Sequence, residues 1–167
     1  MTALACAVLT ISDTRTAADD TSGDLLVELL TGAGHRLVER TINPDDIYAI
    51  RATVSRWIAD SEIQVILTTG GTGFTGRDST PEALSALFDK TIDGFGELFR
   101  QLSFDEIGSS TIQSRAIGGL ANATLIFALP GSGNAVRTGW EKIISKQLDI
   151  NNRPCNFAEL YARFRES

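Results

Sequence analysis

Three short, nearly continuous apolar runs constrain the fold of this chain more than any other feature. They occupy residues 3–11, 64–67 and 124–129, and each is followed by polar or glycine-rich residues. Runs of this kind are typical of strands covered on both faces. The stretches between them place apolar residues at helical spacing, and strands alternating with helices indicate a parallel sheet. The sequence therefore predicts an α/β fold, a doubly wound, three-layer and mostly parallel sheet with helices on both faces.

The remaining elements are predicted from periodicity and turn residues. A further strand is expected at residues 36–42, and helices are expected at residues 22–30, 46–59, 81–88, 94–106 and 135–148. The polar and then aromatic segment 149–167 is expected to be a C-terminal arm that packs on its own subunit or on a neighbour. A chain of 167 residues without repeats or internal linkers is expected to form one domain, residues 1–167.

Composition and charge exclude several functional classes. The net charge of −6 disfavours nucleic acid as a partner. No apolar run approaches the roughly 20 residues that span a bilayer, so no membrane partner is expected. Cys6 and Cys155 are too few and too far apart for a metal or redox motif, which fits a reducing cytoplasm, and Cys6 is expected to be buried. His35 is the only histidine, so a Ser-His-Asp triad is excluded.

Polar or glycine-rich loops follow four predicted strands. The four loops contain, in chain order, Ser12-Asp13-Thr14, the NPDD segment 43–46, the TGGTG segment 69–73 and the PGSG segment 130–133. In open parallel sheets, ligands bind outside the carboxyl ends of the strands. Four such loops at one edge predict a single ligand site there.

The glycine loop, residues 68–73 with the sequence TTGGTG, predicts phosphate binding. Three glycines in four positions expose backbone N–H groups that can surround an anion. The pattern is neither a P-loop nor a GxGxxG fingerprint. A tight strand-to-helix turn that needs positive φ is the alternative, but a plain turn rarely needs three glycines, so phosphate binding is favoured.

Two carboxylates are candidate metal ligands. Asp78 precedes a predicted helix, which Ser79 or Thr80 would cap, and Asp45 follows another strand. Each can be a helix cap that complements the dipole, or a ligand for Mg²⁺ beside bound phosphates. In the segment DDTSG, residues 19–23, Thr21 or Ser22 is expected to cap the first helix, whose free N–H groups could hold a second anion.

Seven segments carry a family resemblance: SDTR (12–15), DDTSG (19–23), TTGGTGFTGRDSTPEA (68–83), GFGELFR (94–100), SFDEIG (103–108), LPGS (129–132) and RPCNF (153–157). The TTGGTG motif with a downstream D-x-TPEA is specific to one family and its relatives in molybdenum insertion. Over nearly its whole length the chain resembles the MoaB/Mog family of molybdenum-cofactor biosynthesis proteins. Its compact length, DDTSG, SFDEIG and RPCNF resemble the MoaB branch most.

The resemblance implies transfer of AMP from MgATP to the terminal phosphate of molybdopterin, with release of pyrophosphate. The two acidic residues that the family needs match Asp45 and Asp78, the implied catalytic residues and Mg²⁺ ligands. Here NPDD replaces the commoner PDE turn and keeps the carboxylate. Some MoaB-branch proteins lack one or both acids and do not adenylylate, so the presence of both favours an active enzyme.

The expected ligand-binding residues fall into two groups. Gly70, Gly71, Thr72 and Gly73 would donate to a phosphate. The second group would line the pterin and nucleotide pockets and consists of Ser12, Asp13, Ser22, Ser103, Glu106, Pro130, Gly131 and Ser132. The assignment of Ser103 and Glu106 comes mainly from the resemblance.

Partners and rival functions follow from the same resemblance. The family forms trimers, and its MoaB branch pairs them into hexamers, so a homo-oligomer is expected, with the arm and segment 94–100 as candidate interfaces. The molybdenum-insertion enzyme is a further candidate partner. A non-catalytic molybdopterin-binding or carrier protein is the main alternative, against which both carboxylates count. A structural module of a scaffolding protein is another, disfavoured by the single-domain length.

Overall fold

The strands form a single sheet in the computed structural model, which describes residues 3–166. They are β1 (Ala5–Ile11), β2 (Arg36–Asn43), β3 (Val65–Thr69), β4 (Lys90–Thr91), β5 (Ile117–Ala121) and β6 (Thr124–Leu129). Their order is β2-β1-β3-β6-β5-β4, and β2, β1, β3 and β6 are parallel. The predicted mostly parallel α/β fold is confirmed. Met1, Thr2 and Ser167, which end the predicted domain and arm, lie outside the described residues.

Helices cover both faces of the sheet. They are α1 (Thr21–Gly32), α2 (Ile47–Ala59), α3 (Thr80–Ser85), α4 (Asp93–Ile107), α5 (Gly133–Gly139), α6 (Ser145–Gln147) and α7 (Phe157–Leu160). The segment Trp140–Ile144 is a π-helical turn that joins α5 to α6, and Gly108–Gln113 is a 3₁₀ helix after α4. Among the helices of residues 3–166, none has the length and apolar character needed to cross a bilayer.

Each face of the sheet buries its own apolar core, because successive side chains of a strand point to opposite faces. Cys6 and Val8 of β1 pack with α1, α4 and α5, whereas Ala7 and Leu9 pack with α2 and α3. Cys6 has no exposed surface, as predicted, and burial raises the pKa of its thiol to about 12. It is therefore a core side chain and carries no thiolate at neutral pH.

The antiparallel strands β4 and β5 were not predicted from the sequence. β4 has two exposed residues, and β5 reads Ile-Gly-Gly-Leu-Ala, so neither shows an apolar run or alternation. Gly119 leaves space that the Phe88 ring fills, since a Cβ there would collide with that ring. The hairpin joining β5 to β6 turns at Asn122 and Ala123, both at positive φ. Asn122 is the one turn signal that could have revealed it.

A buried carboxylate fastens α1 to the sheet. Asp20, rather than either of the two residues after it, caps α1 by accepting from Gly23 N at 3.0 Å. Its other oxygen accepts from Thr10 on β1 at 2.7 Å and from Arg40 on β2 at 2.8 Å. Burial alone would raise the pKa of Asp20, but donation from Arg40, Thr10 and Gly23 outweighs it and leaves that pKa lowered. The DDTSG segment thus joins three elements.

The C-terminal arm packs against its own chain. The Phe157 ring lies 6.5 Å from the ring of Phe127 on β6 and 6.5 Å from that of Phe164. Both arm phenylalanines are half-buried against the core that α1 and α4 cover. Of the two packings expected for the arm, the intrachain one is observed for these side chains.

Segment 94–100 does not present the aromatic interface that was expected. Phe95 and Phe99 are 3% and 1% exposed, and both pack into the core of their own subunit. These side chains occupy the inward stripe of α4, four residues apart, so they cannot form an interface. The exposed side of the segment as an interface stays a prediction.

Candidate functional site at the glycine loop

The glycine loop leaves β3 and turns sharply at Gly70 and Gly71, with φ of +102° and +64°. Side chains rarely adopt this conformation. A Cβ on Gly70 would collide with the carbonyl oxygen of Ile11, and one on Gly71 would collide with the Thr80 hydroxyl and crowd the Asp45 carboxylate. Two of the three glycines are therefore required by the turn itself, whatever the loop binds.

The loop after β6 lies directly against the glycine loop. Gly70 N donates to Leu129 O at 3.0 Å, and the Thr69 hydroxyl donates to Pro130 O at 3.1 Å. A Cβ on Gly131 would stand 3.4 Å from the Cα of Gly70. The two glycine-containing loops thus form one continuous surface at the carboxyl ends of β3 and β6.

A cavity of about 420 Å³ opens on this surface. The glycine loop, the PGSG loop, α4 and the 3₁₀ helix that follows it form the walls. Sequence reasoning placed these lining residues at a ligand: Gly70, Gly71, Thr72, Gly73, Asp78, Ser103, Glu106, Pro130, Gly131 and Ser132. Most of the predicted site therefore converges on one cavity, within the usual size range for small-molecule sites.

Four predicted residues do not line this cavity. Ser12 accepts from the amides of the residues two and three positions on, so it shapes the loop after β1. Asp13 accepts two hydrogen bonds from Arg77, at 2.9 and 2.7 Å, and one from Asp45 N at 3.0 Å. Ser22 is buried in the first turn of α1. Asp45 lies beside Gly71 instead of on the cavity wall. Their predicted contacts with a ligand stay predictions.

Asp78 lies on the cavity wall as a carboxylate. Its Oδ2 accepts from the amide and the hydroxyl of Thr75, at 2.8 and 2.6 Å. The bond from the Thr75 hydroxyl is the main cause that lowers the pKa of Asp78. A Cβ on Gly73 would stand 2.7 Å from the same oxygen. The third glycine of the loop therefore leaves room for this carboxylate.

Asp45 connects the loop after β2 to the start of α3. Its Oδ1 accepts from Ser79 N at 3.0 Å and from the Ser79 hydroxyl at 2.8 Å. Ser79 occupies the N-cap position without capping by its side chain, and the Thr80 hydroxyl donates to Gly70 O instead. The prediction of Ser79 as the N-cap is therefore confirmed in position, but its hydroxyl bonds to Asp45 instead of capping the helix, and the prediction of Thr80 as the cap is wrong.

The helix-cap interpretation of Asp45 also changes. The helix that follows it, α2, is capped by Asp46, whose Oδ1 accepts from Tyr48 N and Ala49 N. Asp45 is thereby free to reach across to Ser79 and Gly71, which belong to other loops.

The two carboxylates flank the glycine loop, Asp45 at Gly71 and Asp78 at Gly73. Within residues 3–166 no group of three or more His, Cys, Asp or Glu is arranged to hold a metal ion by itself. Mg²⁺ is usually bound by one or two carboxylates together with substrate phosphates and water. Asp45 and Asp78 are the residues of this site that could hold such an ion.

Glu106 lines the cavity from the end of α4, and its carboxylate accepts hydrogen bonds from three side chains. It accepts from Asn134 at 2.6 Å, from the Thr138 hydroxyl at 3.0 Å and from Lys142 at 3.3 Å. Donation from Asn134, then Thr138 and Lys142, lowers the pKa of Glu106. Ser132 caps α5 by accepting from the Ala135 amide. Glu106 thus holds α5 and its capped end against the cavity.

Sequence reasoning missed the polar wall contributed by the 3₁₀ helix. Ser110, Gln113 and Ser114 line the cavity there, as does Asn134 on the opposite wall. The Ser114 hydroxyl is buried and has no hydrogen-bond partner among the described residues. The run of polar residues after SFDEIG was the available signal, but it has no periodicity that predicts an element.

Comparison with known proteins decides the family. Residues 7–149 match the model of a family described as a probable molybdopterin binding domain. The chain belongs to this family. It is 58% identical over 151 residues to molybdenum cofactor biosynthesis protein B of Escherichia coli (strain K12), covering 90% of this chain and 89% of that protein. The predicted resemblance to the MoaB/Mog family is confirmed.

Two solved structures share the fold of this molybdopterin-binding family member. A crystal structure of a molybdenum cofactor biosynthesis protein B matches it with a TM-score of 0.86 at 49% identity, covering 88% of this chain and 92% of the other. The tungsten cofactor synthesizing protein MoaB from Pyrococcus furiosus matches with a TM-score of 0.76 at 39% identity, covering 84% and 90%. The family match includes the glycine loop and both carboxylates but ends at residue 149, where the arm begins.

Proposed function

We propose that this protein binds molybdopterin and transfers AMP to its terminal phosphate from MgATP, releasing pyrophosphate. Family membership and the names of its relatives support a role in molybdenum-cofactor biosynthesis. One observation carries the transfer step. Two carboxylates, Asp45 and Asp78, lie at successive glycines of a loop that forms one wall of the cavity.

The proposed reaction needs no nucleophile from the protein. An oxygen of the molybdopterin phosphate attacks the α-phosphorus of ATP and forms the new P–O bond. The bond from that phosphorus to the bridging oxygen breaks, and pyrophosphate leaves with the electron pair. In such reactions the protein mainly positions the groups and stabilises charge.

Residues at the loop are suited to these two tasks. Backbone N–H groups of Gly71, Thr72 and Gly73 would donate to phosphate oxygens, since the glycines keep side chains away from the approach. Asp78, with Asp45, would hold Mg²⁺, which neutralises phosphate charge when bound. Asp78 carries the negative charge that this role needs, since even an aspartate with an ordinary pKa is ionised at neutral pH and the pKa of Asp78 is lowered further.

Self-association is part of the proposal. Phe104, Ile107 and Ile112 are 57%, 50% and 78% exposed around the end of α4 and the 3₁₀ helix. Large apolar side chains that are exposed on adjoining elements are candidates for protein contacts. We propose a homo-oligomer, a trimer or a hexamer, with adenylyl-molybdopterin passing to the molybdenum-insertion enzyme.

Pyrophosphate release tests the proposal directly. Purified protein is incubated with molybdopterin and MgATP, and both pyrophosphate and adenylyl-molybdopterin are measured, with reactions lacking molybdopterin or containing EDTA as controls. We expect both products in equal amounts and neither in the controls. Stoichiometric binding of molybdopterin without pyrophosphate would leave the non-catalytic carrier as the function.

A further inference from the structure

One arginine holds both ends of the segment that carries Asp78. Arg115, two residues before β5, donates from Nε to Gly73 O at 2.8 Å and from Nη2 to Asp78 O at 2.9 Å. Its Nη1 pairs with the Glu82 carboxylate on α3. The face of the guanidinium lies 5.0 Å from the centre of the Phe74 ring. A single planar group thus contacts the segment 73–78 at its beginning, at its end and along its side.

The other bonds of the segment are those of Thr75 with Asp78 and the exposed ion pair of Arg77 with Asp13. Phe74 is 70% exposed, and the residues from it to Arg77 all lie on the surface. Loops with few buried contacts sample several conformations unless hydrogen bonds hold them. The Arg115 side chain is only 21% exposed, so water competes weakly for its bonds. The Arg115 guanidinium therefore links this segment to the rest of the site in a less exposed environment than Arg77 does, since the Arg77 side chain is 64% exposed.

Arg115 is itself held by the sheet and by α4. The next residue, Ala116, is fully buried. Arg100 on α4 donates to the carbonyl oxygens on both sides of Arg115, those of Ser114 at 3.5 Å and Ala116 at 3.2 Å. The position of Arg115 is thus set by packed elements, and its hydrogen bonds to Gly73 O and Asp78 O fix the segment 73–78 relative to them.

We infer that Arg115 is a positioning residue for the Asp78 carboxylate. It does not line the cavity, so it acts through the backbone of residues 73–78. The inference rests on the proposed function where it gives Asp78 the role of Mg²⁺ ligand. A lysine would keep the charge but lose the planar fork that reaches two carbonyls and a carboxylate at once.

The first measurement is independent of catalysis. Thr75 N donates to Asp78 Oδ2, so amide hydrogen exchange at Thr75 reports whether the carboxylate stays in place. In Arg115→Ala we expect this exchange to rise about tenfold while the amides of β3 stay protected. The exchange rate at Thr75 in Arg115→Lys is expected to lie between those of the wild type and of Arg115→Ala. Arg56→Ala is the control, because Arg56 also pairs with a carboxylate, Glu39, and lies over a ring, but on α2.

The second measurement is the Mg²⁺ concentration that gives half-maximal AMP transfer. We expect this concentration to rise about tenfold in Arg115→Ala, less in Arg115→Lys and not at all in Arg56→Ala. Each variant is measured below its melting temperature. Unchanged exchange at Thr75, or exchange that rises equally in β3, would overturn the inference. If the wild-type protein transfers no AMP, the proposed function fails, and exchange at Thr75 still decides the role of Arg115.

Discussion

Asp45 and Ser79 are joined by two hydrogen bonds to the same carboxylate oxygen, from the Ser79 amide at 3.0 Å and from its hydroxyl at 2.8 Å. The pair fastens the loop after β2 to the start of α3, next to the glycine loop. It also sets where the second carboxylate of the proposed site can lie. Asp45 therefore has a structural role beside its proposed catalytic one, so Asp78 is the better residue for a test of the chemistry.

Asp78→Asn is expected to reduce AMP transfer by about 10² or more, the scale of losing one charge-stabilising group. The amide oxygen can still accept from Thr75, so the loop and molybdopterin binding should change little. Initial rates of pyrophosphate release, with binding measured separately, check this. Glu97→Gln on the exposed side of α4 makes the same chemical change as a control. Turnover at the wild-type rate would remove Asp78 from the mechanism.

Gly73→Ala is expected to lower AMP transfer about 10²-fold while costing less than about 1 kcal/mol of stability. Its Cβ would stand 2.7 Å from Asp78 Oδ2, so the carboxylate must move. Gly76→Ala is a control in the same loop, since a Cβ there meets nothing within 4 Å. Rates and melting temperatures of the two variants separate the effects. Equal activity of both would show that the carboxylate position does not matter.

Gly71→Val should behave differently, with a loss of about 2 kcal/mol or more in folding stability. Its φ of +64° and its contacts with Thr80 and Asp45 make any side chain strained. Thermal melts with and without ligand test this. A normal melting temperature with lost ligand binding would contradict the turn requirement that the structure shows.

Asp20→Asn is expected to destabilise the fold by about 1–3 kcal/mol, because it weakens a buried acceptor of three hydrogen bonds. Asp24→Asn, which removes the exposed partner of the same Arg40, should cost less than about 1 kcal/mol. Chemical denaturation of both variants makes the comparison. Equal losses would mean that the buried bonds add nothing beyond the surface pair.

The same carboxylate predicts a pH effect. The pKa of Asp20 is lower in the folded than in the unfolded chain, where it is about 3.9. Its contribution is therefore complete above that value and is lost as the pH falls through the folded pKa. Wild type and Asp20→Asn should converge in stability at low pH.

His35 predicts a second pH effect, nearer neutrality. The side chain is 6% exposed, and its Nδ1 accepts from Leu4 N at 3.3 Å. Burial lowers the pKa of His35, and Asp149 opposes this only in part. Stability should therefore be complete above the unfolded pKa of about 6.5 and decline as the pH falls through the folded pKa. The decline should be absent in His35→Gln. Melting temperatures of the wild type and of this variant from pH 8 to about 5 test the prediction.

Truncation after Asn152 is expected to lower stability by about 2 kcal/mol or more. The number of subunits in the particle should stay unchanged. The truncation removes Phe157 and Phe164 from the core of their own subunit. Deletion of residues 165–167 alone is the control, because Arg165 and Glu166 are exposed. Light scattering and thermal melts check both. A smaller number of subunits in the particle would mean that the arm also contacts a neighbouring subunit.

The sequence by itself determined the elements whose signals are local. Continuous apolar runs specify β1, β3 and β6, since such strands must be covered on both faces, and helical spacing specifies α1, α2 and α4. The candidate site was predictable for a related reason. The carboxyl ends of parallel strands share one edge of a sheet, so loops distant in sequence, such as 69–73 and 130–133, meet there.

Only the tertiary structure decided the features that depend on partners distant in the chain. The residue that caps α1, the reach of Asp45 to Ser79 and the contacts of Arg115 with Gly73 and Asp78 each join groups from separate elements. A short polar motif shows which hydrogen-bonding groups are present but does not show which of them will bond to each other. That choice is made by the packing of the two cores, because the buried strands and helices fix where each loop begins and therefore which donors face which acceptors.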